Sequence, residues 1–172
     1  VLGFVLQRKE SSVPSKRYEN LACSAARALE VVGERWTMLI VRDLFYGMRR
    51  FDELQRDLGV ARNILSARLA TLVEEGIARR VQYCDAPVRH EYRLTPKGED
   101  LFPVLLALIS WGDRWAAPEG APVVMTHTRC GQDLEPVVVC AFCGEEPLPH
   151  TVHARVGPGL SSPEGSSEEE PG

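Results

Sequence analysis

The sequence has no uninterrupted apolar run of the roughly 18 residues that a membrane-spanning helix needs. Its apolar start, residues 1–6, is too short for a secretory signal peptide and lacks a basic leader. We therefore expect a cytoplasmic protein. In that compartment the five cysteines should be reduced, bound to metal or redox-active, and should not form structural disulfides.

Residue groups that would indicate an enzyme are also missing. The chain contains no glycine-rich phosphate loop and no metal-ligand set that would leave a coordination position open. Cys140 and Cys143 form a Cys-x-x-Cys pair, but they do not precede a βαβ unit, as they would in a thiol oxidoreductase. We therefore expect a protein that is not an enzyme.

Excess positive charge is absent as well, because the net charge is −4. Acidic residues are concentrated late in the chain. Residues 16–115 carry 16 Lys and Arg against 14 Asp and Glu, whereas residues 116–172 carry 2 against 9. The small excess of basic residues in residues 16–115 is by itself a weak indication of nucleic-acid binding. Local pairs, Arg49 with Arg50 and Arg79 with Arg80, would have to supply contacts to phosphates.

Residues 49–95 show the pattern of two short helices followed by a hairpin. Phe51, Leu54 and Leu58 recur at the spacing of one apolar helix face. Gly59 follows directly and can adopt the left-handed conformation that ends a helix. These residues predict a first helix and a tight turn after it.

A second helix is predicted from about residue 61 to residue 75. Its buried stripe would consist of Leu65, Leu69 and Leu72. The opposite face is small and polar, as a helix lying in the major groove of DNA requires. We predict that DNA is contacted from this helix by Arg62, Asn63, Ser66, Ala67 and Ala70. Arg68, at the edge of the stripe, is expected to pair with an acidic side chain.

Residues 77–83 and 90–94 are predicted strands, joined by a turn over residues 84–89 that includes Asp85 and Pro87. Arg89, near the tip, would contact a phosphate or the minor groove. The order of helix, turn, helix and hairpin predicts a winged helix-turn-helix that binds double-stranded DNA. Two alternatives remain open: these are ordinary amphipathic elements, or the winged helix binds another protein.

The helices around this unit predict a homodimer. Residues 23–32 and 35–46 should form two helices, and Thr95 with Pro96 should begin another that runs to about Trp115, with a kink at Pro103. The last helix is apolar around most of its circumference, so it must be buried on two sides. The second side would contact another copy, through Leu105 and Leu108 among others. Burial under the C-terminal region is the alternative.

Residues 118–157 have a different composition, rich in Val and Thr, which predicts short strands. They contain two similar motifs, His127-x2-Cys130-Gly131 and Cys140-x2-Cys143-Gly144. Paired soft ligands two residues apart are typical of a structural zinc ribbon, in which four ligands would bind one Zn²⁺. A redox pair and a metal-free hairpin are the alternatives. His150 or His153 could replace His127 as the fourth ligand.

The expected fold class is therefore mainly α with small β elements, in four regions. Residues 1–19 would be a flexible arm, and residues 20–117 the winged helix-turn-helix and dimerisation domain. Residues 118–157 would be a small β-rich, zinc-ribbon-like domain. Residues 158–172, which are acidic and of low complexity, would be disordered.

Four segments together resemble the HxlR-type winged-helix transcriptional regulators, relatives of the MarR group. The segments are CSAARALEVVGERWTMLIVRDLFYGMRRFDELQ, LGVARNILSARLATLVEEGIARR, PVRHEYRLTPKGEDL and WGDRW, within residues 23–115. The resemblance implies a homodimeric bacterial repressor or activator that uses its first and last helices for dimerisation and its middle helices to read DNA.

The resemblance also implies a possible role for Cys23, because some members sense electrophiles through a cysteine at the start of the first helix. The positive end of the helix dipole favours the thiolate at such a position, and Arg27 follows one turn later. The alternative is a small apolar residue buried at the dimer interface. Whether a small molecule or electrophile acts as effector stays open at this point.

Overall fold

The computed structural model describes Tyr18 and residues 21–159. Almost all of the predicted N-terminal arm and acidic tail lies outside these residues. The elements follow in the order α1 Ser24–Val32, α2 Thr37–Phe45, α3 Phe51–Leu58, α4 Arg62–Glu74, β1 Ala78–Asp85, β2 Val88–Leu94, α5 Pro96–Glu99, α6 Phe102–Trp115, β3 Thr126–His127 and β4 Gln132–Asp133. Two antiparallel hairpins, β1 with β2 and β3 with β4, form the sheets.

One hydrophobic core lies between α2, α3, α4 and the first hairpin. The predicted stripes of α3 and α4 supply much of it, and Leu54, Leu65 and Leu69 are completely buried. Burial of one such side chain stabilises the fold by about 1.5–3 kcal/mol. The buried members are Ile40, Val41, Leu44, Leu54, Val60, Leu65, Leu69, Leu72, Ile77 and Ala78. The core therefore fixes how α4 is presented at the surface.

The connection between α3 and α4 is as tight as predicted. Gly59 has a φ of +60° and its amide donates to the carbonyl of Gln55 at 3.0 Å. A side chain at that φ would be strained, so glycine lets the chain turn immediately. Val60 is buried in the turn, and the extended Ala61 precedes the first residue of α4.

A charged network joins α2 to α3. The Arg42 guanidinium bonds to Asp43 through Nε at 2.8 Å and to Asp57 of α3 at 3.1 Å. Asp43 is fully buried. Burial raises the pKa of the Asp43 carboxyl, and the Arg42 guanidinium opposes that rise.

The predicted pairing of Arg68 with an acidic side chain is also confirmed, because its guanidinium nitrogen lies 3.7 Å from a carboxylate oxygen of Glu34.

The first hairpin, which we call the wing, is longer than predicted. Residues 84–89 were expected to be a turn, but Cys84 pairs with Arg89 and Asp85 with Val88, so only Ala86 and Pro87 form the connection. An irregularity between Gln82 and Cys84 shifts the register. The Gln82 side chain donates to the Asp85 carboxylate at 2.7 Å. That bond holds a turn-forming residue inside a strand.

The predicted last helix is two helices. Thr95 begins α5 as expected, since its hydroxyl accepts from the Gly98 amide at 3.2 Å. However, α5 ends at Glu99 and α6 starts at Phe102, with Pro103 in its first turn. Proline lacks an amide hydrogen and its ring clashes with a helical carbonyl four residues earlier. The chain therefore breaks before Pro103, where a kink alone was expected.

The C-terminal region contains less β structure than predicted. Between residues 116 and 159 the strands are β3 and β4, each of two residues, and no residue there is buried. Short Val-rich stretches form strands only where a partner strand or a core is available. Among the described helices, none combines the length and apolar character that a bilayer crossing requires.

Candidate nucleic-acid interface

A cleft of about 1200 Å³ lies between α3, the start of α4 and the wing. We call it the basic cleft. Five arginines line it: Arg50, Arg56, Arg62, Arg80 and Arg89. Its other polar lining residues include Asn63, Ser66, Tyr83, His90 and the acids Asp52 and Glu53. The cations come from three segments that are separate in the sequence, and the fold brings them to one surface.

The start of α4 places three polar side chains in the basic cleft. Arg62 and Asn63 are exposed, and Ser66 follows one turn later on the same face. The Arg62 guanidinium carbon lies 4.9 Å from the centre of the Phe51 ring. This is within the distance of a cation–π contact, so the first residue of α3 positions the first arginine of α4.

Arg50, which also lines the basic cleft, is held against the wing. It is the extended residue before α3, it forms an isolated antiparallel bridge with Glu91 of β2, and the Tyr92 amide donates to the Arg49 carbonyl at 2.8 Å. Its guanidinium carbon lies 4.9 Å from the centre of the Tyr83 ring. Backbone pairing and an aromatic face therefore both fix this cation relative to the wing.

Glu53 also holds this segment, through its side chain. Its Oε2 accepts from the amides of Arg50 at 3.0 Å and Arg49 at 3.2 Å. These amides lower the pKa of the Glu53 carboxyl, the Arg50 amide more strongly. The carboxylate satisfies amides at the start of α3 that have no partner within the helix, as the glutamate of a capping box does.

The wing contributes residues that the sequence did not identify individually. Arg80 of β1 lies 2.9 Å from Nδ1 of His90 on the paired strand, and both line the basic cleft with Arg89. Arg80 was noted only as half of a basic pair, and Arg56 and His90 were not noted. Arg80 lies in the regular part of the ladder, but which residues of β2 it meets depends on the shift between Gln82 and Cys84, which local spacing does not predict.

Not every residue predicted to contact DNA lines the basic cleft. Arg50, Arg62, Asn63, Ser66 and Arg89 do. Arg49, Ala67 and Ala70 are exposed but lie outside its lining. The two alanines keep the outer face of α4 slim beyond the first turn.

The predicted zinc ligands form two separate pairs. Cys130 Sγ lies 3.4 Å from His127 Nδ1. Backbone amides of Cys143 and Phe142 and the Cys143 side chain surround the Cys140 sulfur, and together they lower its pKa. Across Tyr18 and residues 21–159, no three His, Cys, Asp or Glu side chains are grouped so that they could hold a metal ion. The pairs therefore do not form one four-ligand centre in this structure.

Cys23 is exposed and is the residue immediately before α1. It borders a small cavity of about 350 Å³ together with Arg27 and Arg155. The N-terminal position predicted for this thiol is therefore confirmed. Cys84, in the wing, is half-buried.

Comparison with known proteins gives one family. The model of the HxlR-like helix-turn-helix family matches residues 31–120, slightly more than half of the chain. An HTH-type transcriptional regulator of Mycobacterium tuberculosis is 48% identical over 145 residues, covering 84% of this chain and 92% of that protein. The HTH-type transcriptional regulator YvaP of Bacillus subtilis is 38% identical over 93 residues, covering 54% and 86%.

Solved structures agree with this result. The chain is similar to PA1607, a protein assigned as a transcription factor, with a TM-score of 0.73 and 40% identity over 80% of this chain and 97% of that one. It is also similar to the redox regulator HypR in its oxidised form, with a TM-score of 0.51 and 30% identity over 54% of this chain and 96% of that one. The second similarity is confined to about half of the present chain.

Proposed function

This chain belongs to the HxlR-like helix-turn-helix family of DNA-binding transcriptional regulators, and from that premise we propose that it binds a pseudo-palindromic operator as a homodimer. In this proposal α4 enters the major groove of each half-site, and the wing contacts the adjacent backbone or minor groove. Two-fold related recognition helices would read half-sites about one DNA turn apart.

The observation that carries the proposal is the composition of the basic cleft. Groove-reading candidates, Arg62 and Asn63, lie beside phosphate-binding candidates, Arg50 and Arg89, within one concave surface. Arginine bonds to guanine and asparagine to adenine through paired hydrogen bonds at base edges. Arginines that bind phosphates fix the position of the protein along the duplex but do not read its sequence. Both classes of contact are needed for sequence-specific binding.

The dimer part of the proposal is supported by α6. Its residues Val104, Leu108, Trp111 and Trp115, which we call the α6 stripe, lie at helical spacing on one face and are all exposed in the single chain. Trp111 and Trp115 are 64% and 70% exposed. Leu105, expected at the interface, is instead buried within its own chain. A second copy would remove the stripe from water.

The experiment is a selection of duplexes from random sequence by the purified protein, followed by titration of the enriched site at several salt concentrations. Arg62→Ala and Asn63→Ala should each cost about 1–3 kcal/mol on the preferred site and relax base preference. Arg89→Ala should weaken binding to all duplexes similarly and reduce the salt dependence by about one ion.

Arg129→Ala is the matched control, because it removes an exposed arginine that does not line the basic cleft. It should leave both affinity and base preference unchanged. If the selection enriches no sequence and the three cleft variants bind duplexes like the parent, the winged helix acts as a protein-interaction module and the operator model is wrong.

A second candidate function is a response to thiol oxidants or electrophiles through Cys23. It is supported by the exposure of this thiol beside Arg27 and by similarity to HypR, a redox regulator. Treatment with a disulfide-forming oxidant should change operator affinity in the parent and in Cys84→Ser, but not in Cys23→Ser. An equal change in Cys23→Ser would exclude this cysteine as the sensor.

A further inference from the structure

The C-terminal segment, residues 121–159, contains two short strands and several turns but no hydrophobic core. None of its side chains is buried, and apolar ones project into solvent, with Phe142 fully exposed and Val137 at 73%. The strands β3 and β4 contribute two residues each. A segment of this size needs a cross-link, a metal or a partner to hold one conformation. The proposed operator binding gives no account of this segment.

Its two Cys-containing turns have the same backbone geometry. In the first, the Gly131 amide donates to the His127 carbonyl at 2.8 Å, and in the second the Gly144 amide donates to the Cys140 carbonyl at the same distance. Gly131 and Gly144 have φ values of +73° and +76°. Both turns therefore need glycine at the residue after the second potential ligand.

In the first turn the two potential ligands are already at a suitable separation for one ion. Tetrahedral zinc with a Zn–S bond of about 2.3 Å and a Zn–N bond of about 2.0 Å has a sulfur–nitrogen edge of about 3.5 Å. Cys130 Sγ and His127 Nδ1 are 3.4 Å apart. This distance supports His127 as the nitrogen ligand.

The second turn has two cysteines at the same spacing as His127 and Cys130 in the first. Its backbone is held by the bond from Gly144 and by the Cys140 amide, which donates to the Glu145 carbonyl at 2.8 Å. The two turns thus offer three sulfurs and one imidazole nitrogen.

We propose that these two turns close on one structural zinc ion per chain, bound by His127, Cys130, Cys140 and Cys143. The pairs stand apart in this structure, and binding brings them together. The intervening residues 131–139 can extend to about 30 Å, so chain length does not prevent closure. Three thiols release three protons to solvent, neutral His127 donates its lone pair, and the resulting Zn–S₃N centre carries one negative charge.

The test is metal analysis of the full chain, purified under reducing conditions and then reconstituted with zinc and desalted. We expect about one zinc per chain. Cys130→Ser and Cys143→Ser should each lower the retained zinc at least about tenfold, because loss of a ligand costs more affinity than loss of an outer-shell partner, which costs about 10–100-fold. Cys84→Ser and His150→Ala should retain it, since neither lies in the turns.

Cobalt substitution tests the ligand set without depending on the folding of variants. The cobalt-loaded parent should show sulfur-to-metal charge-transfer bands and the strong visible bands of a tetrahedral site. Less than about a tenth of an equivalent of zinc after reconstitution, or a cobalt spectrum without sulfur bands, would overturn the proposal. So would full zinc retention by Cys130→Ser and Cys143→Ser, or half an equivalent of zinc per chain in the parent.

Discussion

At the scale of single residues, aromatic rings determine where the cations of the basic cleft stand. Arg62 lies over Phe51 and Arg50 over Tyr83, each at 4.9 Å from guanidinium carbon to ring centre. An arginine on an aromatic face loses less conformational freedom when it binds a phosphate, because part of its freedom is already lost. The rings therefore matter for binding although they carry no charge.

Tyr83→Leu should weaken operator binding about two- to fivefold, because an exposed cation–π contact contributes about 0.5–1 kcal/mol. Tyr83→Phe keeps the ring and should bind like the parent. The measurement is a fluorescence titration of the selected duplex with both variants. Equal loss in the two variants would assign the effect to the hydroxyl group and contradict positioning of Arg50 by the ring.

Glu53 makes the start of α3 sensitive to acid. Its folded-state pKa is lowered from 4.5 by the amides of Arg50 and Arg49. A lowered pKa means that the carboxylate stabilises the fold at pH values above 4.5 and that this contribution is lost as the pH falls through the folded-state pKa. Because the side chain is 40% exposed, solvent reduces the size of the effect.

Glu53→Gln should therefore show a smaller loss of unfolding free energy than the parent when the pH is lowered from neutral to about pH 3. Asp52→Asn is the control, since it removes a neighbouring charge and leaves the two amide bonds of Glu53 in place. Urea unfolding at a series of pH values gives the comparison. Parallel curves for Glu53→Gln and the parent would contradict the assigned role.

At the scale of elements, the end of α4 is fixed by the start of α5. The Lys97 ammonium donates to the Glu75 carbonyl at 2.6 Å, and the Thr95 amide donates to the Ile77 carbonyl at 2.9 Å. Gly98 packs so closely that an added Cβ would lie 2.2 Å from the Ile77 carbonyl oxygen. Contacts of this kind hold α4, the wing and α5 together at one point.

Gly98→Ala should lower the free energy of unfolding by about 1–3 kcal/mol, as overpacking against an immovable neighbour does. Glu99→Ala, at the next position of the same turn, changes an exposed side chain and should alter stability by less than about 0.5 kcal/mol. Chemical denaturation of both variants measures the difference. A Gly98→Ala protein as stable as Glu99→Ala would show that the junction can shift at little cost.

Elements with a strong apolar period were predictable, and elements decided by long-range pairing were not. The apolar residues of α3 and of α4 each recur at helical spacing, and Leu54 of α3 and Leu65 and Leu69 of α4 are completely buried. The wing was predicted too short because aspartate favours turns, so Asp85 was placed in the turn. In the structure Asp85 is the last residue of β1, and the Gln82 side chain of the same strand donates to its carboxylate.

The basic cleft was predicted in part for the same reason. Arg62 and Arg89 could be identified from local position, at a helix start and near a hairpin tip. Arg80 and His90 could not, because their meeting depends on the register of β1 against β2. Local spacing carries no information about a register shift, so this half of the cleft required the structure.

At the scale of the whole molecule, the α6 stripe exposes four apolar side chains to solvent on one helix face. Trp111→Ala should weaken the proposed dimer at least about thirtyfold, the equivalent of 2 kcal/mol for a central interface tryptophan. Val124→Ala, which shortens an exposed apolar side chain in the C-terminal segment, is the matched control and should leave the association unchanged.

Sedimentation velocity over a range of concentrations, with circular dichroism to check folding, measures this association. A folded Trp111→Ala protein that remains dimeric at the lowest concentration would place the contact elsewhere. A parent protein that is monomeric throughout would contradict the homodimer and would leave the stripe to be covered in another way.

The pairing of Arg49 and Arg50 with β2 has a consequence for the lifetime of the binding surface. The Tyr92 amide that donates to the Arg49 carbonyl belongs to the strand that also carries Arg89. Opening of the wing therefore releases the residues before α3 at the same moment. Hydrogen exchange at the Tyr92 amide should report how often the two halves of the basic cleft separate, and bound duplex, by spanning both, should slow that exchange.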